Sequence, residues 1–477
     1  MNAFVNAVVD EMTTTRTENG AVTHSTSLNA NVDLFFKIGA LRSNPKAVLP
    51  AFEAAYFENR LNALRIALWA RDIRNGAGER AVFHEIVFWL LERFPGDAVQ
   101  LIKLMPQFGY FKEMLKFVDL SVKSDIAIIT SFVEALKAGN GLAAKYTPRK
   151  GAIANRIRGM FQMTPKNFRR MLVHLSETVE QQMSAKQFDQ INYSHVPSVA
   201  MKNYSKAFFK RDEARFKEFR DQVKAGTAKI NAGALFPYDL LKASRTDDDT
   251  ASLQWKALPD FVPEGLNLLP MIDVSPSMDC PSGVENVTAM DIAISIGLYL
   301  MERNKSAFKD IALTFDSNPK WIQNAKTDSL LRRISHIQSA AWGGSTNLER
   351  AFAQILDLAV RNRLKQEDLP THLLVLSDME FDASRQGWYG TTYQNVKRAF
   401  EEAGYQLPNV IFWNISRAGA ARAGAGGKSV PVRAGENGVA MVSGSSPSIV
   451  TGILGGELSP EKVMLRTIGH ERYDVIS

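Results

Sequence analysis

A single cysteine, Cys280, in 477 residues excludes an intramolecular disulfide and points to a reducing compartment. No apolar run approaches the roughly 20 residues that a bilayer crossing takes. The opening stretch MNAFVNAVVDEMTTT reaches Asp10 and Glu11 after only a few apolar residues, so it lacks the form of a secretory signal. These absences together predict a cytoplasmic protein with no membrane partner. Catalytic signatures are missing too. There is no G-x-S-x-G elbow and no H-E-x-x-H pair, and the seven histidines (24, 84, 174, 195, 336, 372 and 470) form no ligand-spaced cluster. The stretch AGAGGKSV, residues 423–430, invites comparison with a phosphate loop. That pattern needs a glycine where Arg422 stands, and Pro431 follows in place of a helix. The chain is therefore expected not to be an enzyme.

Hydrophobic residues make up 45% and charged residues 22%, the balance of a folded globular protein, and the length favours two domains. The net charge of +7 is modest but unevenly spread. From Lys145 to Arg170 the chain reads KYTPRKGAIANRIRGMFQMTPKNFRR, with eight cations and no acid. A solvated helix face is the ordinary explanation of a basic run. Eight uncompensated cations repel one another, however, and that cost favours an anionic partner.

The periodicity of the chain changes once. Up to about residue 240, apolar residues recur at helical spacing in NRLNALRIALWARDI, ERAVFHEIVFWLLERF, SDIAIITSFVEALKA and NFRRMLVHLSETVEQQM, with short stops between them. Helix pairs over such a length are compatible with HEAT-like repeats, although no clean repeat is visible. A polar, Asp-rich and Pro-containing stretch at 240–265 marks the change. Beyond it, strand-like runs (LNLLPMIDVS, DIALTFDS, THLLVLSDM, NVIFWNIS, GVAMVSGS) alternate with amphipathic helical ones. That rhythm predicts a doubly wound sheet of the Rossmann type. The expected architecture is thus an all-helical domain over 1–255 followed by an α/β domain over 265–477, in a monomer.

Ligands of such sheets bind at the carboxyl ends of the strands. Asp273, Ser275 and Ser277 stand directly after the first strand, Thr346 opens a helix after a glycine hinge, and Asp378 ends the strand HLLVLSD. Each has a modest explanation as a turn or cap residue. Their joint placement instead matches the hard oxygen donors that Mg²⁺, Mn²⁺ or Ca²⁺ prefer.

On these residues the second half resembles a von Willebrand A domain, whose metal-ion-dependent adhesion site combines D-x-S-x-S with a Thr and an Asp from later loops. The resemblance implies that Ser275, Ser277 and Thr346 touch a divalent ion, Mg²⁺ first, through their hydroxyls. Asp273 and Asp378 hold it directly or through water, and a carboxylate from a protein partner completes the open position. The sequence departs from the family at Pro276, where glycine is frequent.

The first half is similar to the Ro autoantigen proteins. The residues that carry this are WARDIRNGAGERAVFHEIVFWL at 69–90, KYTPRKGAIANRIR, INYSHVPSVAMKNYSKAFFKRD and KINAGALFPYDLL. In that family a ring of HEAT-like helices joined to a von Willebrand A domain binds small non-coding RNAs and the single-stranded ends of misfolded ones. The resemblance implies RNA contacts from Lys145, Arg149, Lys150, Arg156 and Arg158 first, and from Arg169, Arg170, His195, Lys202 and Lys206 next. Tyr146, Phe161, Tyr193 and Tyr204 are candidates to stack on bases or simply to fill the core. Arg71, Arg74 and Arg80 suit an inter-helix turn with buried ion pairs as well as they suit RNA. The rival reading is a metal-dependent protein-interaction module whose helical half is only a scaffold.

Overall fold

The computed structural model describes residues 3–17, 20–42, 44–119, 124–282, 284–315, 318–340, 347–379, 381, 391–415, 430–453 and 458–476. A short antiparallel hairpin, β1 (Thr14–Arg16) and β2 (Val22–His24), precedes the helical half and was not visible in the apolar periodicity. Its β-branched threonines and valine pair locally, and His24 bridges Val430 far along the chain. Helices then run from Ala30 to Lys256. Their ends follow ordinary capping chemistry. Asn59 accepts the Asn62 N–H before the helix Arg60–Arg71, Asn140 caps Gly141–Tyr146, and Thr164 with Pro165 opens Pro165–Ser176.

The second half is a six-stranded sheet of β3 (Leu268–Asp273), β4 (Ile311–Phe315), β5 (Trp321–Gln323), β6 (His372–Ser377), β7 (Asn409–Asn414) and β8 (Val439–Ser443). The strand order is β5-β4-β3-β6-β7-β8. Every pairing is parallel except β4 with β5, so the sheet is mixed rather than wholly parallel. The reason is local: only a short connection joins β4 to β5, too short for a crossover helix. Residues of β3, β6 and β8 are buried at every position, as expected when both faces of a sheet are covered. The helix Ala289–Arg303 lies so close over β3 that a Cβ on Gly297 would meet the Ile272 side chain at 2.4 Å.

The two halves share one apolar core, which runs from Ala21 through the helices up to Leu172 and on through the sheet to Ile476. A second, smaller core gathers Ile191, Tyr193, Val196, Met201, Phe208, Phe216, Phe219 and Ile230 around Leu253. The segment Arg71–Arg80 joins the halves. Arg71 is buried and forks onto both oxygens of Glu113 at 2.7 Å. Asp72, also buried, takes Arg472 and the Tyr473 hydroxyl from the far end of the chain. Glu79 pairs with Arg42, which also reaches Ser445 in the turn after β8. Gly76 has no room for a Cβ, which would lie 2.0 Å from the Trp69 carbonyl oxygen. No described helix is long and apolar enough to cross a membrane.

His24 and His372 are both buried, and burial lowers each imidazole from 6.5 to about 4, with Arg433 adding to the effect on His24. Unfolded, both protonate near 6.5. Between there and about 4 the unfolded chain binds more protons, so stability is full above pH 6.5 and is lost as pH falls toward 4. Each histidine is expected to contribute roughly 3 kcal/mol to that loss. Urea unfolding at pH 7 and pH 4.5 should show it, and His372→Gln should flatten part of the slope.

Candidate metal centre and basic face

The chain leaves β3 outward to β4 and β5, then returns across the sheet to β6, on the other side of β3. This reversal makes the carboxyl ends of β3 and β6 the switch point of the sheet, the position where open α/β sheets bind their ligands. Asp273 ends β3 there and is fully buried. Its Oδ1 accepts the Ser275 N–H at 3.0 Å, which closes a tight turn, and its Oδ2 accepts the Ser377 hydroxyl at 2.5 Å. Ser275 and Ser277 place their hydroxyl oxygens 2.9 Å apart. Ser275 is buried and Ser277 half-buried. Pro276 begins a 3-10 turn, Pro276–Asp279, at a position where no backbone N–H is required, so proline costs this loop no hydrogen bond.

Asp378 follows β6 and is 4% exposed. Burial and, after it, the charge of Asp378 raise the Asp273 carboxyl to about 7, against hydrogen bonds from Ser377 and Ser275 that favour the ionised form. Met379, the next residue, has a φ of 65°, a left-handed conformation rare for a side chain of its size, and its N–H donates to the Ser377 hydroxyl. The loop therefore stores backbone strain next to Asp378 and near Asp273.

Asp273, Ser275, Ser277 and Asp378 thus lie together at the carboxyl ends of the two central strands. Thr346 lies outside the described residues, as does most of the glycine-rich stretch 423–430. Ser377 was not singled out from sequence, although its hydroxyl is one of the groups holding Asp273. The only signal was a hydroxyl residue next to Asp378 on a strand that pairs with β3. Among the described residues no group of three or more His, Cys, Asp or Glu side chains is placed to hold a metal. An ion here would rest on two carboxylates and neighbouring hydroxyls, a donor set that fits a hard divalent cation and not zinc.

The basic segment folds as two consecutive helices. Ala152–Met160 buries Ala154 and Ile157, and leaves Arg156 exposed and Arg158 half-buried. Pro165–Ser176 buries Phe168 and Leu172 and exposes Lys166, Arg169 and Arg170. Arg149 and Lys150 are exposed just before them. Arg149 is held by the carbonyls of Ala144 and Thr147, and the charge of Arg169 helps burial to lower its pKa, so these two cations are neighbours. Among the described residues, Arg149, Lys150, Arg156, Arg158, Arg169 and Arg170 make no ion pair with a carboxylate.

The other expected contacts divide. Lys145 pairs with Glu180 at 3.1 Å and Lys202 with Asp239 at 2.8 Å, while His195 and Lys206 are exposed. Acids distant in sequence therefore compensate part of a run that has none of its own. Tyr193 is 4% exposed, donates to Asp212 and belongs to the second core. Phe161 packs 6.0 Å from Phe168 and Tyr204 packs 6.4 Å from Phe208. Arg71 is a buried structural cation, whereas Arg74 and Arg80 are exposed.

A helical half fused to a mixed six-stranded sheet with carboxylates at its switch point defines an α plus α/β protein. The chain belongs to the family described as domain of unknown function DUF2828, which matches residues 17–140 and 127–264, more than half of the chain together. The family described as domain of unknown function DUF7788 matches residues 267–472. An uncharacterized protein of Acanthamoeba polyphaga mimivirus is 25% identical over 511 aligned residues, 95% of this chain and 86% of that one. The crystal structure of the Deinococcus radiodurans RO (RSR) protein is 13% identical and aligns over 90% of this chain and 92% of that one, with a TM-score of 0.41.

Ser377→Ala would leave one Asp273 oxygen buried without its donor, a loss expected to cost about 1–3 kcal/mol. Chemical unfolding of the wild type and variant in the absence of divalent ions measures it. Equal midpoints would mean that the hydroxyl does not hold the carboxylate.

Proposed function

We propose that this is a non-enzymatic RNA-binding protein whose helical half takes RNA phosphates on a basic face and whose sheet half holds a divalent cation. The observation that carries the first part is the set of six cations, Arg149, Lys150, Arg156, Arg158, Arg169 and Arg170, on two consecutive helices and the turn before them, with no carboxylate partner among the described residues. Keeping like charges together costs free energy that an anionic polymer returns, since each neutralised phosphate releases condensed counterions. The resemblance of KYTPRKGAIANRIR and the neighbouring segments to Ro sequences supports the same partner.

If these six cations each meet one phosphate of a single strand, the log-log salt slope is about −4, and affinity falls roughly two to three decades between 50 and 200 mM salt. Filter binding against single-stranded and structured RNA tests this, with the charge-reversed Arg156→Glu/Arg158→Glu variant alongside. Binding that ignores salt, or a variant that binds like wild type, would overturn the RNA reading.

For the second part, the von Willebrand A-like placement of Asp273, Ser275, Ser277 and Asp378 supports a Mg²⁺ site, with Mn²⁺ or Ca²⁺ as substitutes. Bound there, the cation would supply charge to offset the two carboxylates and an open position for an outside oxygen ligand. Magnesium at a hundredfold above its Kd should stabilise the fold by about 2.7 kcal/mol. The Ser275→Ala/Asp378→Ala variant should show no such gain. Equal melting shifts for the two proteins would remove the metal.

A further inference from the structure

The turn Gly109–Tyr110 is shaped by a buried cation. A Cβ on Gly109 would lie 2.6 Å from a guanidinium nitrogen of Arg71, so only glycine lets the chain pass over the Arg71–Glu113 pair. The next residue, Tyr110, then stands with its ring centroid 5.4 Å from the Arg71 guanidinium carbon and begins the helix Phe111–Lys116. Against that helix packs Gly141–Tyr146, which ends on Tyr146. The two tyrosine rings meet at 6.5 Å and 62°. The Lys145 ammonium lies 5.9 Å from the Tyr146 centroid. Burial raises the Tyr110 phenol while the charges of Arg71 and Arg80 pull it the other way.

These rings differ from tyrosines that serve only the fold. Tyr56, Tyr193, Tyr299, Tyr405 and Tyr473 each tie their hydroxyl to a protein oxygen. Tyr110 and Tyr146 are half-buried and make no protein hydrogen bond through their hydroxyls among the described residues. Arg71 and Lys145 are neutralised by Glu113 and Glu180, whereas Arg80 makes no ion pair with a carboxylate among the described residues.

We infer that Tyr110 and Tyr146 form a seat for one unpaired base of an RNA strand. This rests on the RNA reading above and adds Tyr110, which no sequence motif assigned to a ligand role. An aromatic ring held at an angle by a second ring offers a base its face, and a nearby cation strengthens the contact. The phosphates of the basic face then supply charge-dependent affinity, and this pair supplies a contact that depends on the base.

The test uses the full-length protein and fluorescence anisotropy with a short labelled oligoadenylate and an abasic ribose-phosphate chain of equal length and charge. Wild type is expected to bind oligoadenylate roughly tenfold more tightly or better. The Tyr110→Leu/Tyr146→Leu variant should lose that preference and keep the salt slope, and the Tyr110→Phe/Tyr146→Phe variant should retain it. Equal, salt-sensitive binding of both chains by wild type would overturn the base seat and leave the RNA reading standing. Failure of wild type to bind either chain at low salt would overturn both.

Discussion

The fold depends on one constraint: a ten-residue turn, Arg71–Arg80, buries three charges that it cannot neutralise itself. Arg71 finds Glu113 within the helical half, Asp72 finds Arg472 near the last described residues, and Glu79 finds Arg42 near the first helices. A buried charge without its partner is strongly destabilising, so three separate parts of the chain must arrive before this turn is tolerable. The same constraint reaches the surface. Holding Arg71 in place requires Gly109, and Gly109 sets the position of Tyr110.

In the sheet half, topology performs the equivalent service. Parallel strands that reverse direction of travel between β3 and β6 leave their carboxyl ends side by side, and Ile272 pairs with Leu376 in register. Asp273 and Ser377 therefore meet across 104 residues without any loop having to bring them together. The strained backbone at Met379 and the raised carboxyl of Asp273 are two signs of the same thing. This end of the sheet holds groups that the fold alone would not choose to place together.

How much of this was legible follows from whether a signal is local. β3, β4, β6, β7 and β8 were readable because each is a short apolar run bounded by turns, and Asp273 and Asp378 because strand ends can be found along a sequence. The hairpin Thr14–His24 and β5 escaped because three-residue strands leave almost no periodic trace. Ser377 escaped because its role depends on register with a distant strand. Within the basic run, Lys145 looked as free as Arg156. Its partner Glu180 lies 35 residues on and is brought near by helix packing that no local pattern encodes. Tyr110 was passed over for the same reason, since its neighbours Arg71 and Tyr146 lie well away on either side in sequence. Tyr193, readable as a base-stacking residue or a core one, proved to be core.

The pairing of Asp72 with Arg472 spans 400 residues. At about 5–20 residues per second of synthesis, the arginine follows the aspartate out of the ribosome by roughly 20–80 s. Throughout that interval the nascent helical half carries an acid it cannot bury, so its junction stays open to water. The earlier-made member of the pair thus waits for the later-made one.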